Sequence, residues 1–189
     1  MVQKIGILGG TFNPPHLGHL IMANEVKEQL DLDKIWFLPN QLPPHKEEEN
    51  LASAQQRLEM LQGATANNPF FAIDERELHR SGKSYTYDTI KAWKAESPDS
   101  ELYFIIGGDM VEFLPKWYKI DELIKFVHFV GVNRRGHHRK SPYPVIKIDI
   151  PVIEISSTII RDKVKQNSSI QYLVPDNVAN YIKENHLYD

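Results

Sequence analysis

The chain has 189 residues, with hydrophobic residues at 41% and charged residues at 25%, the balance of an ordinary folded domain and not of a disordered tract. A single domain over residues 1–189 is expected, large enough to bury roughly 70% of its unfolded surface without covalent staples. There is no cysteine, which excludes a disulfide scaffold, a cysteine nucleophile and a thiolate metal site. With 22 Lys+Arg against 25 Asp+Glu and a net charge of −3, the basic surplus of a duplex-DNA binder is missing. The N-terminus lacks the apolar run of a signal peptide. No window approaches the roughly 18 apolar residues of a membrane span. These features predict a soluble, cytoplasmic chain with no nucleic-acid or membrane partner.

Short apolar runs alternate with helical patterns along the chain. Lys4–Leu8 is the first strand candidate and ends in Gly9-Gly10. Leu17–Leu30 follows with apolar residues on a helical period. Ile35–Leu38 is the next strand, and a polar loop runs from Pro39 to Leu51. Ser53 and Gln56 make a capping box for a helix through Ala66. Phe70–Ile73 reads as a strand, Tyr87–Glu96 as a helix, and Leu102–Ile106 as a strongly apolar strand ending in Gly107-Gly108-Asp109. Two short helices are expected to flank Pro115. Val127–Val132 is a strand, Arg134–Pro144 a loop, and Val145–Ile150 and Val152–Ile155 are short β runs. Ser156 or Ser157 caps a helix through Lys165, and Pro175 opens a last helix reaching about Asn185.

This alternation argues for helices packed on a mostly parallel sheet. In such sheets ligands sit at the carboxyl ends of the strands. Read in order, those ends carry Gly9-Gly10-Thr11, Asn40 with the loop to Lys46, the loop from His79 to Thr86, Gly107-Gly108-Asp109, Asn133-Arg134-Arg135 and Ser156-Ser157-Thr158. Glycines, hydroxyls, basic groups and one carboxylate on a single edge suit a nucleotide and its phosphates.

Two stretches are the most informative. In Gly9-Gly10-Thr11-Phe12-Asn13-Pro14-Pro15-His16-Leu17-Gly18-His19 the glycines allow close backbone approach to a phosphate. The helix that follows turns its free N–H groups and positive dipole end on the same anion. His16 and His19 are three apart, so their rings can share a face. Gly18 between them leaves room. The plainer reading is a strand-to-helix turn whose histidines fill space. Neither Gly-x-Gly-x-x-Gly nor Gly-x-x-x-x-Gly-Lys-Ser/Thr occurs, which argues against a dehydrogenase and against a P-loop kinase or ATPase. A zinc site, and with it a zinc hydrolase, would need a third ligand. The second stretch is Ile155-Ser156-Ser157-Thr158-Ile159-Ile160-Arg161. Its hydroxyls at a helix start and its guanidinium one turn inward fit phosphate, although on its own such a stretch is mostly ordinary helix capping.

Together these stretches resemble the nucleotidyltransferase superfamily with the His-x-Gly-His signature and, within it, the bacterial nicotinate-nucleotide adenylyltransferases. Pro43-Pro44-His45-Lys46, Ser84-Tyr85-Thr86-Tyr87-Asp88-Thr89, Gly107-Gly108-Asp109, Trp117-Tyr118 and Val174-Pro175-Asp176 extend the similarity over nearly the whole chain. The segment 133–138 is less typical and leaves the choice between Arg134 and Arg135 open. The resemblance implies a Rossmann-like, doubly wound α/β fold with helices on both faces of a mostly parallel sheet and a small C-terminal helical subdomain. It implies adenylyl transfer from ATP to nicotinate mononucleotide in NAD biosynthesis, with Mg2+ carried by ATP. His16, His19 and Arg161 would be catalytic. ATP would be held by Gly9, Gly10, Thr11, Phe12, His16, His19, Lys46, Gly107, Ser156, Ser157, Thr158 and Arg161. The acceptor would be held by Asn40, Lys46, Tyr85, Thr86, Asp109, Trp117, Tyr118 and Arg134. No metal ligand is expected among the protein residues, and a homodimer is left open. The rival readings are an adenylyltransferase for another phosphate, such as nicotinamide mononucleotide or phosphopantetheine, and a nucleotide-binding module without catalysis.

Overall fold

A computed structural model describes residues 2–41, 52–80, 85–134, 140–151 and 153–189, with the backbone alone at 133 and 134. Six strands form one sheet: β1 (Lys4–Gly10), β2 (Lys34–Pro39), β3 (Phe71–Ile73), β4 (Glu101–Gly107), β5 (His128–Arg134) and β6 (Val145–Ile150). Their spatial order is β3-β2-β1-β4-β5-β6, and every neighbouring pair is parallel. The helices are α1 (Leu17–Leu30), α2 (Ala54–Thr65), α3 (Thr86–Glu96), α4 (Ile120–Leu123), α5 (Ser157–Lys165) and α6 (Asp176–Glu184). The expected Rossmann-like α/β architecture is present.

Both faces of the sheet are covered, which is why the central strands read as near-continuous apolar runs. Side chains alternate along β4: Phe104 and Ile106 face one core with Tyr87, Ile90 and Trp93 of α3. Ile105 faces the other, with Ala23 and Val26 of α1 and Leu61 of α2. A third apolar cluster joins Met60 of α2, Ile160 of α5, Val178 and Ile182 of α6, and Leu187 and Tyr188 at the C-terminus. This is the helical subdomain.

Local chemistry sets several boundaries where expected. Ser53 Oγ accepts from the Gln56 N–H at 3.2 Å and Gln56 Oε1 accepts from the Ser53 N–H at 2.9 Å, the complete capping box of α2. Ser156 caps α5 by accepting from the Ile159 N–H at 3.2 Å. Pro175 precedes α6 as its cap. Two expectations are corrected. A single 3-10 segment over Gly108–Lys116 runs through Pro115, with α4 after it, in place of two helices flanking the proline. Pro115 lies at the end of that segment, where its missing N–H disturbs little. The β run expected at Val152–Ile155 is not a strand over 153–155, and Val152 lies outside the described residues. Pro151, directly after β6, has no N–H to extend the ladder.

The strand order reverses at β1, which pairs with β2 on one side and β4 on the other. Its carboxyl end therefore opens onto a crevice beside the end of β4. Gly9-Gly10 and Gly107-Gly108-Asp109 lie at those two ends. Among the described residues no helix is long and apolar enough to cross a membrane.

Candidate active site

The loop leaving β1 places both histidines. Phe12 turns the chain with φ 51°, and its ring is 1% exposed. It meets the His19 ring edge-on at 5.0 Å. His16 follows as the extended N-cap of α1. The His16 and His19 rings stack with centroids 3.7 Å apart and planes 25° from parallel, so the three-residue spacing does put them on one face. A Cβ at position 18 would stand 3.0 Å from His16 Nδ1, so any larger residue would press on the His16 ring.

One hydrogen bond defines the chemistry of His19. Its Nδ1 accepts from the His16 backbone N–H at 3.2 Å. A neutral imidazole whose Nδ1 accepts carries its proton on Nε2, which is left as a donor. Burial holds His16 down to about 4. Burial first, and the neighbouring His16 second, hold His19 well below the usual imidazole range. Both rings are thus neutral near pH 7, and an anion placed beside them would shift them back toward the charged form.

This shift has a stability consequence. In the unfolded chain His16 titrates near ~6.5. Its folded value is depressed, so the native state binds fewer protons, and stability is lost as pH falls from that value toward about 4. Relative to His16→Gln, the wild-type protein should lose up to about 1.4 kcal/mol per pH unit across this window. Denaturant unfolding of both proteins at several pH values checks this, and a constant gap would contradict it.

The second stretch meets the first directly. Ser157 Oγ donates to the Pro14 carbonyl at 2.9 Å. Arg161 Nη1 donates to the Asn13 carbonyl at 2.9 Å. Residues nearly 150 positions apart are therefore joined around one cavity of about 710 Å³. Thr11, His16, His19, Ser156, Ser157, Thr158 and Arg161 supply its polar wall, and Gly107, Gly108 and Asp109 reach it from the end of β4. A Cβ at Gly107 would stand 2.7 Å from Asp109 Oδ1, so a side chain there would have to displace that carboxylate. A neutral donor pair, hydroxyls at a helix start and one guanidinium are the groups that bind a polyphosphate. Among the described residues no group of three or more His, Asp or Glu could hold a metal ion.

Other sequence-predicted residues fall elsewhere. Gly9 and Gly10 form the end of β1 and do not line the cavity, whereas Phe12 lines it while also packing against His19. Asn40 lies beside them, its N–H donating to the Gly10 carbonyl at 3.1 Å. Tyr85, Thr86, Trp117 and Tyr118 do not line the cavity. The Tyr85 and Tyr118 rings meet at 4.7 Å with planes tilted by 38°, both exposed. Trp117 packs edge-on against Phe104 and Phe129 at 5.8 and 5.6 Å, half in the core. Lys46 lies outside the described residues, and so does the side chain of Arg134.

Sequence reasoning missed the apolar wall of the cavity, formed by Met22, Val132, Ile150, Pro151, Ile153 and Ile155. Such residues look like core in a sequence and carry no separate signal. It also missed Arg57 and Tyr188, which bond to the β1–α1 loop from distant elements.

A family model described as cytidylyltransferase-like matches residues 7–163. The chain is 51% identical over 188 residues to the nicotinate-nucleotide adenylyltransferase of Bacillus subtilis, covering 100% of both. It is 54% identical over 187 residues to a probable nicotinate-nucleotide adenylyltransferase of Lactiplantibacillus plantarum, covering 99% of this chain and 89% of that one. In fold it is similar to the Plasmodium falciparum nicotinic acid mononucleotide adenylyltransferase solved with NaAD, with a TM-score of 0.81 and 23% identity over 99% of this chain and 98% of that one. With its sheet order, its two joined signature stretches and this full-length identity, the chain belongs to the cytidylyltransferase-like family and, within it, to the nicotinate-nucleotide adenylyltransferases.

Proposed function

We propose that this chain, as one domain over residues 1–189 working in the cytoplasm, transfers the adenylyl group of ATP to nicotinate mononucleotide. The products are nicotinate adenine dinucleotide and pyrophosphate, a step of NAD biosynthesis. The observation that carries this reading is the junction of the two signature stretches around one cavity, through Ser157–Pro14 and Arg161–Asn13. Identity above 50% to named enzymes of this activity supports the acceptor.

The chemistry asks for charge neutralisation more than for proton transfer. A phosphate oxygen of the mononucleotide attacks the α-phosphorus of ATP, and the bond to the bridging oxygen of the β-phosphate breaks. Pyrophosphate leaves with the electron pair. The attacking phosphate is already anionic, so no general base is needed. What remains is to align two anions and stabilise the charge on the five-coordinate centre.

His19 Nε2–H donates to the α-phosphate, with His16 stacked beside it. Arg161 and Ser157 hold the β- and γ-phosphates, and Thr11 a further phosphate oxygen. Ser156 and Thr158 complete the anion site at the start of α5. Lys46 closes over the triphosphate. The apolar wall from Met22 to Ile155 suits the adenine end. Mg2+ enters on the ATP oxygens as part of the substrate, consistent with the ion's tendency to keep its waters. On the acceptor side Asp109 takes a ribose hydroxyl and Trp117 stacks on the pyridine ring through its exposed part. The backbone N–H groups of Thr86 and Tyr118 receive the nicotinate carboxylate, with Tyr85, Asn40 and Arg134 at the margins.

The test is pyrophosphate release with Mg–ATP and a panel of acceptors. Nicotinate mononucleotide should exceed nicotinamide mononucleotide in kcat/KM by about tenfold or more, since one group to be bonded is missing from the amide. Phosphopantetheine should give no release above background. Equal kcat/KM for the two mononucleotides would remove the carboxylate assignment. Release with phosphopantetheine alone would replace the acceptor.

A further inference from the structure

The loop between β1 and α1 is held from behind by side chains that the reaction scheme leaves unused. Arg57 of α2 is 2% exposed. Its Nη1 donates to the Thr11 carbonyl at 2.7 Å and its Nη2 to the Gln41 carbonyl at 3.0 Å. Two residues beyond Thr11, the Asn13 side chain is equally buried. Its Oδ1 accepts from the Ala52 backbone N–H at 3.1 Å and from the Tyr188 hydroxyl at 2.7 Å. Tyr188 is the penultimate residue, 175 positions away in sequence. Its ring is 7% exposed and seated in the C-terminal helical cluster. Its hydroxyl also acts electrostatically on Arg57, so the three side chains form one buried group.

The geometry of this group is unusual for a loop. The carbonyls of Thr11, Asn13 and Pro14 each accept from a side chain of a distant element: Arg57, Arg161 and Ser157. Burying a guanidinium is costly, and here its fork is spent on two loop carbonyls, fixing both loops to α2. His16 begins two residues after the last of these anchors. A loop anchored at residues 11, 13 and 14 is held in fixed relation to Arg161, which itself supplies the Asn13 anchor.

We propose that Arg57 and Tyr188 are positioning residues for adenylyl transfer: through Thr11 and Asn13 they hold the histidine loop against the Arg161 fork, so that the C-terminus of the chain sets the geometry of the nucleotide site. The proposal rests on the reading of that cavity as the triphosphate site. It predicts that losing Tyr188 falls on the ATP side and on turnover and spares the acceptor, while losing Arg57 does the same and in addition frees the Gln41 carbonyl beside Asn40.

Tyr188→Phe removes one hydroxyl and keeps the packed ring, and Arg57→Lys keeps the charge and loses the fork. Initial rates are measured with ATP and nicotinate mononucleotide varied separately, alongside the melting temperature. Tyr188→Phe should lower kcat about fivefold to twentyfold and raise the ATP KM about threefold or more, with the acceptor KM within about twofold. Arg57→Lys should show a larger loss of kcat and of ATP affinity, with a smaller rise in the acceptor KM because the Gln41 carbonyl beside Asn40 is freed as well. A general loosening of the fold would raise both KM values alike, together with a fall in melting temperature, and that result overturns the proposal. So does a kcat within about twofold of wild type in both variants. Affinity for non-hydrolysable α,β-methylene ATP is the second readout. It separates failure of the brace from failure of the assigned reaction, because it needs no turnover. If wild type binds the analogue and makes no product with nicotinate mononucleotide, the acceptor reading fails. A loss of about fivefold in analogue affinity in the variants still supports the brace, and unchanged affinity ends it. Should Tyr188→Phe not fold, Arg57→Lys is judged by the same two readouts.

Discussion

His19→Ala lowers kcat by about 10²–10³ and changes the ATP KM much less. His19 Nδ1 accepts a hydrogen bond from the His16 N–H. That bond leaves Nε2 as the donor, and the edge of Phe12 together with the stacked His16 ring fixes its direction. A donor held in place before the reaction costs no reorganisation when charge builds on the α-phosphate, so its value appears in the transition state and not in ground-state binding. Its neutrality matters too: burial keeps the ring uncharged without ligand, and the developing anion is what makes a proton on it favourable. His19→Gln, whose amide can reach the Nε2 position, should retain more activity than the alanine variant. Rapid-quench measurement of the first turnover reads the chemical step directly. Wild-type kcat in His19→Ala would remove the histidine from the mechanism.

Most of the described residues that the sequence assigns to phosphate meet at the cavity, whereas of those assigned to the acceptor Asp109 alone among the described residues lines it, for a physical reason. Phosphate binding uses glycines, helix starts, hydroxyls and a guanidinium, and these have fixed local spacing, as in Gly9-Gly10-Thr11 and Ser156-Ser157-Thr158 with Arg161. Their meeting in space is set by the sheet order, which strand and helix alternation already implied. The brace behind the loop has no such spacing. Neither Arg57 nor Tyr188 stands in a motif, and only packing shows both to be buried. The aromatic residues Tyr85, Trp117 and Tyr118 do gather near one another, but half of Trp117 is occupied by Phe104 and Phe129. A motif cannot tell how much of a ring is left for a ligand. The β run expected at Val152–Ile155 misleads for the same kind of reason: among its described residues, Ile153 and Ile155 line the cavity and belong to no strand.

Arg161→Ala should cost about 10²–10³ in kcat/KM for ATP, the second large effect, and through a different route. Arg161 stands on α5, one turn from the helix start, with Nη1 on the Asn13 carbonyl and Nη2 3.4 Å from Thr158 Oγ1. It is thus at once a tie between the two signature stretches and a wall of the cavity. Alanine removes the cation that faces the leaving pyrophosphate and also frees the Asn13 carbonyl, so both binding and turnover suffer. Lysine restores charge at about the same place but offers no rigid fork. Arg161→Lys should therefore recover ATP binding more than kcat, leaving turnover at least about tenfold below wild type. The combination with His19→Ala decides whether the two groups act on one transition state. If they do, the double variant loses less than the sum of the two single losses, because either deletion already forfeits most of the charge alignment. Strict additivity would mean that the imidazole and the guanidinium serve separate steps, and the shared anchor at Asn13 would then be structural only.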